Sequence, residues 1–476
     1  MFRMRRSTLT IGTAGLLCLF TALGGAIVAS ASSAAGGVKG DPQPTPKPFV
    51  IGLSGYAGGT VAMEPNGTMV IAHGNTPTGQ VVVCVAARGS RKCSSTVTLT
   101  PDAGDALTDV PQIFVTSANH VDVLMGECCN PGGADLLWSS TNGGVSFGAP
   151  VNVGDLGVDV AALVAGHIVF TATDEGGGAE VESVPVNAPL DETTADTPTT
   201  EAFDVAVAAY NGGSLVGTDD AATDPTTHVA YASAGPNFAS GKYKNVANFP
   251  GEQLLAMSGA ALLTVQTSGA RNVELRLFNG SGYGAAHAVP GFRGGAGSWY
   301  TVDQDPSGMV HVFGARAGSA PAYELFERST SSGATWTGQV DLGNAIDSTM
   351  FDAVLDANGS GMVVGTNVGE AAWGYPVLAA QRATLGLMPS TIKKGHTTIG
   401  SGIASPAQPG RTVRLQIAKG GLWYTVASTH EVGGGKFSFT IKGTATGTFY
   451  YRAVATTQAG YVLNGYSASR ALKVTS

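Results

Sequence analysis

A hairpin pattern that recurs along the chain decides the fold, and residues 300–313, YTVDQDPSGMVHVF, show it in full. An apolar run, Tyr300–Val302, leads into the polar turn Asp305–Gly308, and a second apolar run, Val310–Phe313, follows. Pro at the second position and Gly at the fourth are typical of a tight β-turn. The segment therefore predicts two antiparallel strands.

Six further segments have the same form and recur roughly every 47 residues. Each leaves room for two more short strands, and four short strands per repeat of about 40–50 residues are typical of a β-propeller blade. The sequence predicts an all-β chain with seven blades preferred. Six blades are the alternative, because the last unit can share strands with Phe49–Leu53 in ring closure, and a string of unrelated β-sandwiches is the competing interpretation. The six segments are Val61–Ala72, Ile113–Leu124, Val158–Phe170, Phe203–Val216, Leu254–Val265 and Phe351–Val364.

Composition limits the class of protein. The chain has 476 residues, of which 68 are Gly, and 13% are charged, with a net charge of −8. Low charge and 43% hydrophobic residues argue against a charged disordered protein or a coiled coil. The acidic balance leaves no broad basic surface, so we expect no binding to nucleic acid.

The amino-terminal region has the form of a secretory signal. Basic residues at Arg3, Arg5 and Arg6 precede an apolar stretch and then small residues up to Ala35. We predict a signal peptide over residues 1–35, with an uncleaved membrane anchor as the alternative. Cleavage predicts a secreted, extracellular protein without stable membrane insertion.

Two composition changes define the remaining domains. A Pro-rich spacer covers residues 36–48, and the predicted propeller covers 49–386. From 387 to 476 the rhythm changes to short alternating strands, as in Val413–Ile417 and Phe437–Ile441. This pattern predicts a β-sandwich, and it resembles the immunoglobulin-like modules of bacterial secreted proteins.

Four cysteines follow the signal: Cys84, Cys93, Cys128 and Cys129. An even number in an exported chain favours disulfides over metal ligands. Cys84 and Cys93 flank a turn and can close it, which would leave Cys128 and Cys129 as a vicinal pair. Cross-links between the two groups are the alternative, and we expect no metal site.

Two loops resemble the Asp-box, the bacterial neuraminidase repeat, whose pattern is S-x-D-x-G-x-[ST]-[WF]. The polar third position can bond to backbone N–H groups of its own turn, and the aromatic ring can pack onto the blade. In the family these turns are structural and lie away from the active site, so we assign them no catalytic role. Neither loop has the Asp. The matching residues are Ser140, Asn142, Gly144 and Phe147 in one loop and Ser329, Ser331, Gly333 and Trp336 in the other.

The resemblance to sialidase-like propellers covers roughly residues 50–384 and implies a site of three Arg, a Tyr nucleophile with its Glu, and an Asp acid. Arg binds carboxylates because its planar guanidinium offers two parallel donors. The candidates are Arg276, Arg316 and Arg382, with Tyr323 beside Glu324 as the first choice of nucleophile and Tyr300 and Tyr375 as further ones. Adjacent residues on a strand point to opposite faces, which argues against a Tyr323–Glu324 pair.

These patterns predict a function without catalysis. We expect a secreted propeller protein that binds or scaffolds extracellular glycans or protein ligands, with a divergent sialidase-type glycoside hydrolase as the alternative. No cofactor is expected; the one ion considered is Ca²⁺, at the loop of Asp219, Asp220 and Asp224. The sequence does not indicate an oligomeric state.

Overall fold

The computed structural model describes residues 48–476 with several short gaps, so the predicted signal peptide and nearly all of the Pro-rich spacer lie outside the described residues. The gaps are 54–57, 76–78, 88–89, 91, 102–105, 108–109, 129–133, 155–157, 159, 174–178, 188, 190–192, 197–203, 221–224, 234–242, 295–298, 318–322, 338–339, 346–347, 368–370, 378, 406, 408 and 457–461. No helix among the described residues has the length and apolar character needed to cross a membrane.

The described strands up to Val377 form seven antiparallel sheets. In chain order the strands are β1 (Phe49–Leu53), β2 (Gly59–Met63), β3 (Met69–Asn75), β4 (Gln80–Ala86), β5 (Ser95–Leu99), β6 (Ala106–Leu107), β7 (Gln112–Ser117), β8 (His120–Cys128), β9 (Asp135–Ser140), β10 (Val151–Gly154), β11 (Val160–Val164), β12 (His167–Thr173), β13 (Ala179–Pro185), β14 (Thr193–Asp196), β15 (Val205–Tyr210), β16 (Gly213–Asp219), β17 (Thr226–Ala232), β18 (Lys244–Pro250), β19 (Glu252–Ser258), β20 (Ala261–Gln266), β21 (Asn272–Leu277), β22 (His287–Arg293), β23 (Trp299–Gln304), β24 (Val310–Ala317), β25 (Tyr323–Thr330), β26 (Val340–Ala345), β27 (Ser348–Leu355), β28 (Gly361–Asn367) and β29 (Ala371–Val377).

The seven sheets are the blades of a propeller. Five of the blades run through four consecutive strands; the second has five, β6 to β10, with both β6 and β7 paired to β8, and the seventh contains β27, β28, β29 and β1. The first strands of successive blades contact one another around a closed circuit, β2–β7–β11–β15–β19–β23–β27–β2. This circuit confirms the β-propeller and selects seven blades over six.

The amino-terminal strand closes the ring. In β1, Phe49 pairs with Gly374 and Leu53 pairs with Ala371, so the first described strand completes the last blade. Phe49 and Ile51 are buried with Met69 and Met362, which join blade 1 to blade 7. Sharing of Phe49–Leu53 in ring closure is therefore confirmed, as part of a seventh blade.

Each of the seven blade interfaces has its own hydrophobic cluster. The sheets therefore bury both faces against their neighbours, which explains why apolar and polar residues alternate only imperfectly along the strands. A propeller divides its core among the blades in this way, because no single four-stranded sheet buries enough apolar surface to be stable in water.

In blades 6 and 7 the turn between the first and second strands is capped by a carboxylate. In the turn predicted from residues 305–308, Asp305 Oδ1 accepts hydrogen bonds from Ser307 N (2.8 Å) and Met309 N (3.1 Å). Gly308 has φ of 85°, which favours glycine. Asp356 caps the corresponding turn of blade 7 in the same manner, through Asn358 N and Ser360 N.

Apart from one short two-stranded pair, the strands from Ala379 onward form a separate β-sandwich of two sheets. They are β30 (Ala379–Ala380), β31 (Arg382–Ala383), β32 (Gly386–Met388), β33 (Thr391–Lys393), β34 (Thr397–Ser405), β35 (Thr412–Lys419), β36 (Leu422–His430), β37 (Lys436–Lys442), β38 (Gly447–Ala455), β39 (Val462–Leu463), β40 (Gly465–Tyr466) and β41 (Arg470–Thr475), with a short 3₁₀ helix at Gly433–Gly435. One sheet contains β31, β34, β32 and β37, and the other has the order β33-β41-β38-β35-β36, with β40 beside β38.

The sandwich has one core, in which Val413, Leu415, Phe439 and Leu472 are buried. Residues 379–386 fall within the range 49–386 that the sequence predicts for the propeller. In the structure β30 pairs with β39, and β31 and β32 pair with β34, so this segment pairs with the sandwich.

Candidate functional site

Arg276, the first of the predicted sialic-acid-binding arginines, lies in a buried polar network between blades 4 and 5. Its guanidinium forms a two-pronged pair with Glu252, at 2.6 Å to Oε2 and 2.8 Å to Oε1. It also donates to Glu274 Oε2 (3.2 Å) and to Thr264 Oγ1 (3.2 Å). We call Arg276, Glu252, Glu274 and Thr264 the Arg276 network.

The environment of the network is apolar on one side. The guanidinium carbon of Arg276 lies 4.3 Å from the centre of the Phe249 ring, on the outer strand of blade 4. Burial, followed by the neighbouring Glu252 charge, raises the pKa of Glu274, while Arg276 opposes that rise. Arg276 is 8% exposed, so its charge is matched inside the protein rather than offered to solvent. Arg276 therefore has the geometry of a residue that stabilises the packing of blade 4 against blade 5.

The structure places the predicted catalytic residues on two blades and the sandwich, with Arg316 and Tyr323 on adjacent strands of one blade. Arg276 lies on β21 of blade 5, Arg316 on β24 of blade 6, and Arg382 on β31 of the sandwich, where it is exposed. Tyr323 begins β25 and pairs with Ala317. The side chains of Arg316 and Tyr323 lie outside the described residues.

The two further nucleophile candidates have structural surroundings. The Tyr300 hydroxyl donates to the backbone carbonyl of Arg293, and its ring packs against Phe292. Tyr375 is 1% exposed, within the cluster between blades 6 and 7.

Two aspartates of the acidic loop considered for Ca²⁺, Asp219 and Asp220, lie in different environments. Asp219 is buried and accepts hydrogen bonds from Thr227 Oγ1 (2.8 Å) and Leu254 N (2.8 Å), and burial raises its pKa to about 6. Asp220 instead accepts from Thr226 N (2.7 Å), which lowers its pKa. Asp224 lies outside the described residues. Among the described residues, no group of three or more His, Cys, Asp or Glu is placed to hold a metal ion.

A half-exposed polar row on blade 4 was not found from the sequence. His228 lies between two acceptors, with Nε2 3.1 Å from Asp220 Oδ2 and Nδ1 2.8 Å from Asn248 Oδ1. Asn245 Nδ2 donates to the same Asn248 oxygen at 2.7 Å. His228 and Asn248 are cross-strand partners on β17 and β18, so the row depends on strand register, which no local motif indicates. We call Asp220, His228, Asn245 and Asn248 the blade 4 polar row.

Carboxylate side chains also accept hydrogen bonds from backbone N–H groups of innermost strands. Asp352 Oδ2 accepts a hydrogen bond from Val61 N of the next blade (2.8 Å), and Asp303 Oδ2 accepts one from Leu355 N (2.9 Å). An innermost strand has an unpaired backbone edge, and these side chains supply the acceptors that a fifth strand would otherwise provide. Both side chains are half-buried, and burial raises the pKa of Asp303 to about 7 and that of Asp352 to about 6.

The raised pKa of Asp303 predicts a pH-dependent stability. Below the ordinary pKa of 3.8 the group is protonated in both states. Between pH 3.8 and about 7 the unfolded chain releases this proton and the folded chain retains it, so the free energy of unfolding falls as pH rises. We expect Asp303→Asn, whose amide still accepts from Leu355 N, to gain about 2 kcal/mol over wild type at pH 8, and almost nothing at pH 4.

Thermal unfolding of both proteins at several pH values measures this difference. Comparing variant with wild type cancels titrating groups that do not interact with Asp303, such as buried His73, whose pKa burial lowers to about 4. A difference that is the same at pH 4 and pH 8 would contradict the assignment.

The first Asp-box-like turn is a hydrogen-bonded unit. Ser140 Oγ accepts from Gly144 N (2.9 Å) and Asn142 N (3.3 Å), and Asn142 Oδ1 accepts from Ser146 N (2.9 Å). Gly144 has φ of 79°. Phe147 packs against the cluster between blades 1 and 2. The Asn thus performs the turn-bonding role expected of it.

The second turn uses a different hydroxyl. Thr330 Oγ1, rather than that of Ser329, accepts from Gly333 N (2.9 Å) and Ser332 N (3.2 Å), while Ser329 lies 3.0 Å from Thr337 Oγ1. The anchoring hydroxyl is therefore displaced by one residue from the position that the motif predicts. The remaining predicted residues differ in exposure, with Ser331 exposed and Trp336 packed against the cluster between blades 5 and 6.

Removing the Ser140 hydroxyl tests the structural role of the first turn. We expect Ser140→Ala to lower the free energy of unfolding by about 1–2 kcal/mol, because the buried N–H of Gly144 and the partly buried N–H of Asn142 lose their acceptor. Thr141→Ala, at the exposed neighbouring position, is the matched control and should change it by less than about 0.5 kcal/mol. Urea unfolding measures both, and equal effects would show that the hydroxyl has no such role.

Of the predicted disulfides, the structure contains Cys84–Cys93, with the two Cα atoms 5.4 Å apart. The bond joins β4 to the residues that lead into β5. The side chain of Cys128 and all of Cys129 lie outside the described residues, so their pairing stays a prediction.

Comparison with known proteins gives only distant likenesses. No protein-family description matches the chain, and no curated protein is similar to it. A Trypanosoma rangeli sialidase in complex with 2,3-difluorosialic acid aligns at 12% identity over 69% of this chain and 54% of its own, with a TM-score of 0.37. AofleA from Arthrobotrys oligospora aligns at 12% identity over 62% and 90%, with a TM-score of 0.38.

Prolyl oligopeptidase B from Galerina marginata aligns at 7% identity over 74% of this chain and 57% of its own, with a TM-score of 0.41. In the alignment with the difluorosialic acid complex, this chain spans about half the length of the trypanosomal sialidase. Likeness at this level concerns shape, and the propeller assignment depends on the strand pairing of this chain.

Proposed function

We propose that this chain is a secreted, non-catalytic propeller protein that binds extracellular glycans. The observation that carries the proposal is that the guanidinium of Arg276 is already paired with carboxylates of this chain. A sialidase needs guanidinium groups open to the carboxylate of its substrate, whereas Arg276 has both of its prongs on Glu252 and a further contact with Glu274. An anionic sugar at this position would meet two carboxylates.

The blade 4 polar row is the surface that we assign to binding. Carboxylate, imidazole and amide groups side by side offer both donors and acceptors, which suits paired hydroxyl groups on a neutral sugar. Asn245 and Asn248 are exposed and His228 is half-buried, so a ligand can reach them from solvent. The acidic net charge of −8 favours a neutral ligand over an anionic one.

The Cys84–Cys93 disulfide supports the proposal that the protein is secreted. A bond such as Cys84–Cys93 persists in oxidising compartments, and the predicted signal peptide would direct the chain there. The β-sandwich, which we regard as immunoglobulin-like, would act as a spacer or a second contact.

A glycan array and a fluorogenic sialoside assay test the proposal together. We expect binding to neutral glycans by the purified protein, no turnover of the sialoside, and at least about tenfold weaker binding for His228→Ala and Asn248→Ala. Lys442→Ala, at an exposed sandwich position, is the control and should bind as wild type does. Turnover of the sialoside, or binding that survives both row variants, would overturn the proposal.

A further inference from the structure

One long edge of the sandwich is uncovered. Strand β36, Leu422–His430, ends the larger sheet and pairs on one side with β35. Among the described residues, no strand pairs with its other side. Three apolar side chains at alternate positions are strongly exposed: Leu422 (46%), Tyr424 (48%) and Val426 (53%).

This edge lacks the features that keep edges apart. Residues 422–430, LWYTVASTH, contain no Asp, Glu, Lys, Arg, Pro or Gly. Proteins usually protect a free edge with short length, an inward charge or Pro. The opposite edge of the same sheet shows such protection, since β33 has three residues and carries Lys393.

The edge is also held rigid by the sheet behind it. Arg452 lies between two aromatic rings, 4.5 Å from the centre of Trp423 and 4.5 Å from that of Tyr466. Arg452 Nε donates to Gln416 Oε1 at 2.8 Å. This stack fixes β36 to β35 and β38, so pairing with a further strand would require little ordering of the edge. A register shift opposite Leu415 and Gln416 makes Val426 a bulged residue, which ends the regular part of the edge.

We propose that the segment Leu422–Val426 pairs antiparallel with the same segment of a second copy of this chain. The argument for a second copy is complementarity. A strand without charges can approach itself with no like-charge contact, and pairing about a two-fold axis at Tyr424 places Leu422 opposite Val426 of the other copy. The exposed apolar side chains then cover one another, and Tyr424 faces itself as an aromatic cross-strand pair.

Such a contact is small, so the dimer is weak and depends on concentration. Sedimentation of the purified protein over a range of concentrations should show a monomer–dimer equilibrium. Val426→Lys, which brings a charge against an apolar side chain, should weaken dimerisation by at least about tenfold, whereas Ser428→Lys, beyond the bulge, should weaken it far less. A wild-type protein that stays monomeric, or a Val426→Lys variant that dimerises as wild type does, would overturn the proposal.

Cross-linking tests the register independently of any loss of stability. Directly opposed residues in an antiparallel pair have Cβ atoms about 4.5–5.5 Å apart, close to the span of a disulfide. Tyr424→Cys should therefore form a covalent dimer on oxidation, visible on a non-reducing gel, and reducing agent should reverse it. Ser428→Cys is the matched control, and wild type sets the background from the native cysteines. Failure of Tyr424→Cys to exceed Ser428→Cys would contradict the register and the proposal with it.

Discussion

Replacing Arg276 with leucine is expected to lower the free energy of unfolding by about 3–5 kcal/mol. The loss arises because Glu252 and Glu274 would stay buried between blades 4 and 5 without the guanidinium that matches their charge. Glu274 already has a raised pKa, and removing the cation raises it further. Denaturant unfolding, followed by fluorescence and circular dichroism, measures the effect.

Two controls separate the network from a general effect of removing an arginine. Arg293→Ala, at an exposed position, should change the free energy of unfolding by less than about 0.5 kcal/mol. Combining Glu252→Gln with Arg276→Leu should recover about 1–3 kcal/mol relative to the sum of the single changes, because the two side chains interact directly. Additive effects would show that the pair contributes nothing specific.

The same variant also distinguishes the two functions. If Arg276→Leu kept its stability and abolished turnover of a sialoside, the arginine would be a substrate-binding group and the sialidase alternative would be favoured. A large loss of stability in a protein without sialoside turnover agrees with a structural role.

Replacing Phe49 with alanine is expected to destabilise the propeller by a similar amount, about 3–5 kcal/mol. Phe49 is 7% exposed and packs in the cluster that joins blade 7 to blade 1, where its ring would lie 3.0 Å from a Cβ at Gly374. Its removal leaves a cavity where blade 7 meets blade 1 and the ring closes.

Val50→Ala provides a matched control on the same strand. Val50 is 47% exposed and points away from the cluster, so the change should alter the free energy of unfolding by less than about 1 kcal/mol. Guanidinium unfolding of both variants makes the comparison. Similar effects of the two substitutions would mean that β1 contributes strand pairing alone, without the side-chain packing described.

Some features could be predicted because they depend on a few neighbouring residues. The turn at Asp305–Gly308 forms from contacts within five residues, so its residue types were enough to predict it. The Cys84–Cys93 bond joins residues nine positions apart and was one of the pairings left open. Asn142 bonds within its own turn, as the Asp-box pattern indicated, although the second copy uses Thr330 in place of Ser329.

The Arg276 network shows why the candidate site was harder to predict. Glu274 and Arg276 are two residues apart on one strand and therefore share a face, which is a signal that the sequence contained. Glu252, however, comes from β19 and Phe249 from the preceding blade, and their approach depends on register and blade packing. The blade 4 polar row depends in the same way on the pairing of His228 with Asn248.

The sequence by itself determined an all-β chain of repeated hairpins, because turn residues and strand alternation act over a few residues and survive in any arrangement of the blades. The tertiary structure alone decided that the ring has seven blades and that β1 completes the last one. It also decided that Asp303 and Asp352 satisfy backbone edges across blade interfaces. Those contacts join residues about 50 and 290 positions apart, and the geometry of blade packing brings them within hydrogen-bonding distance.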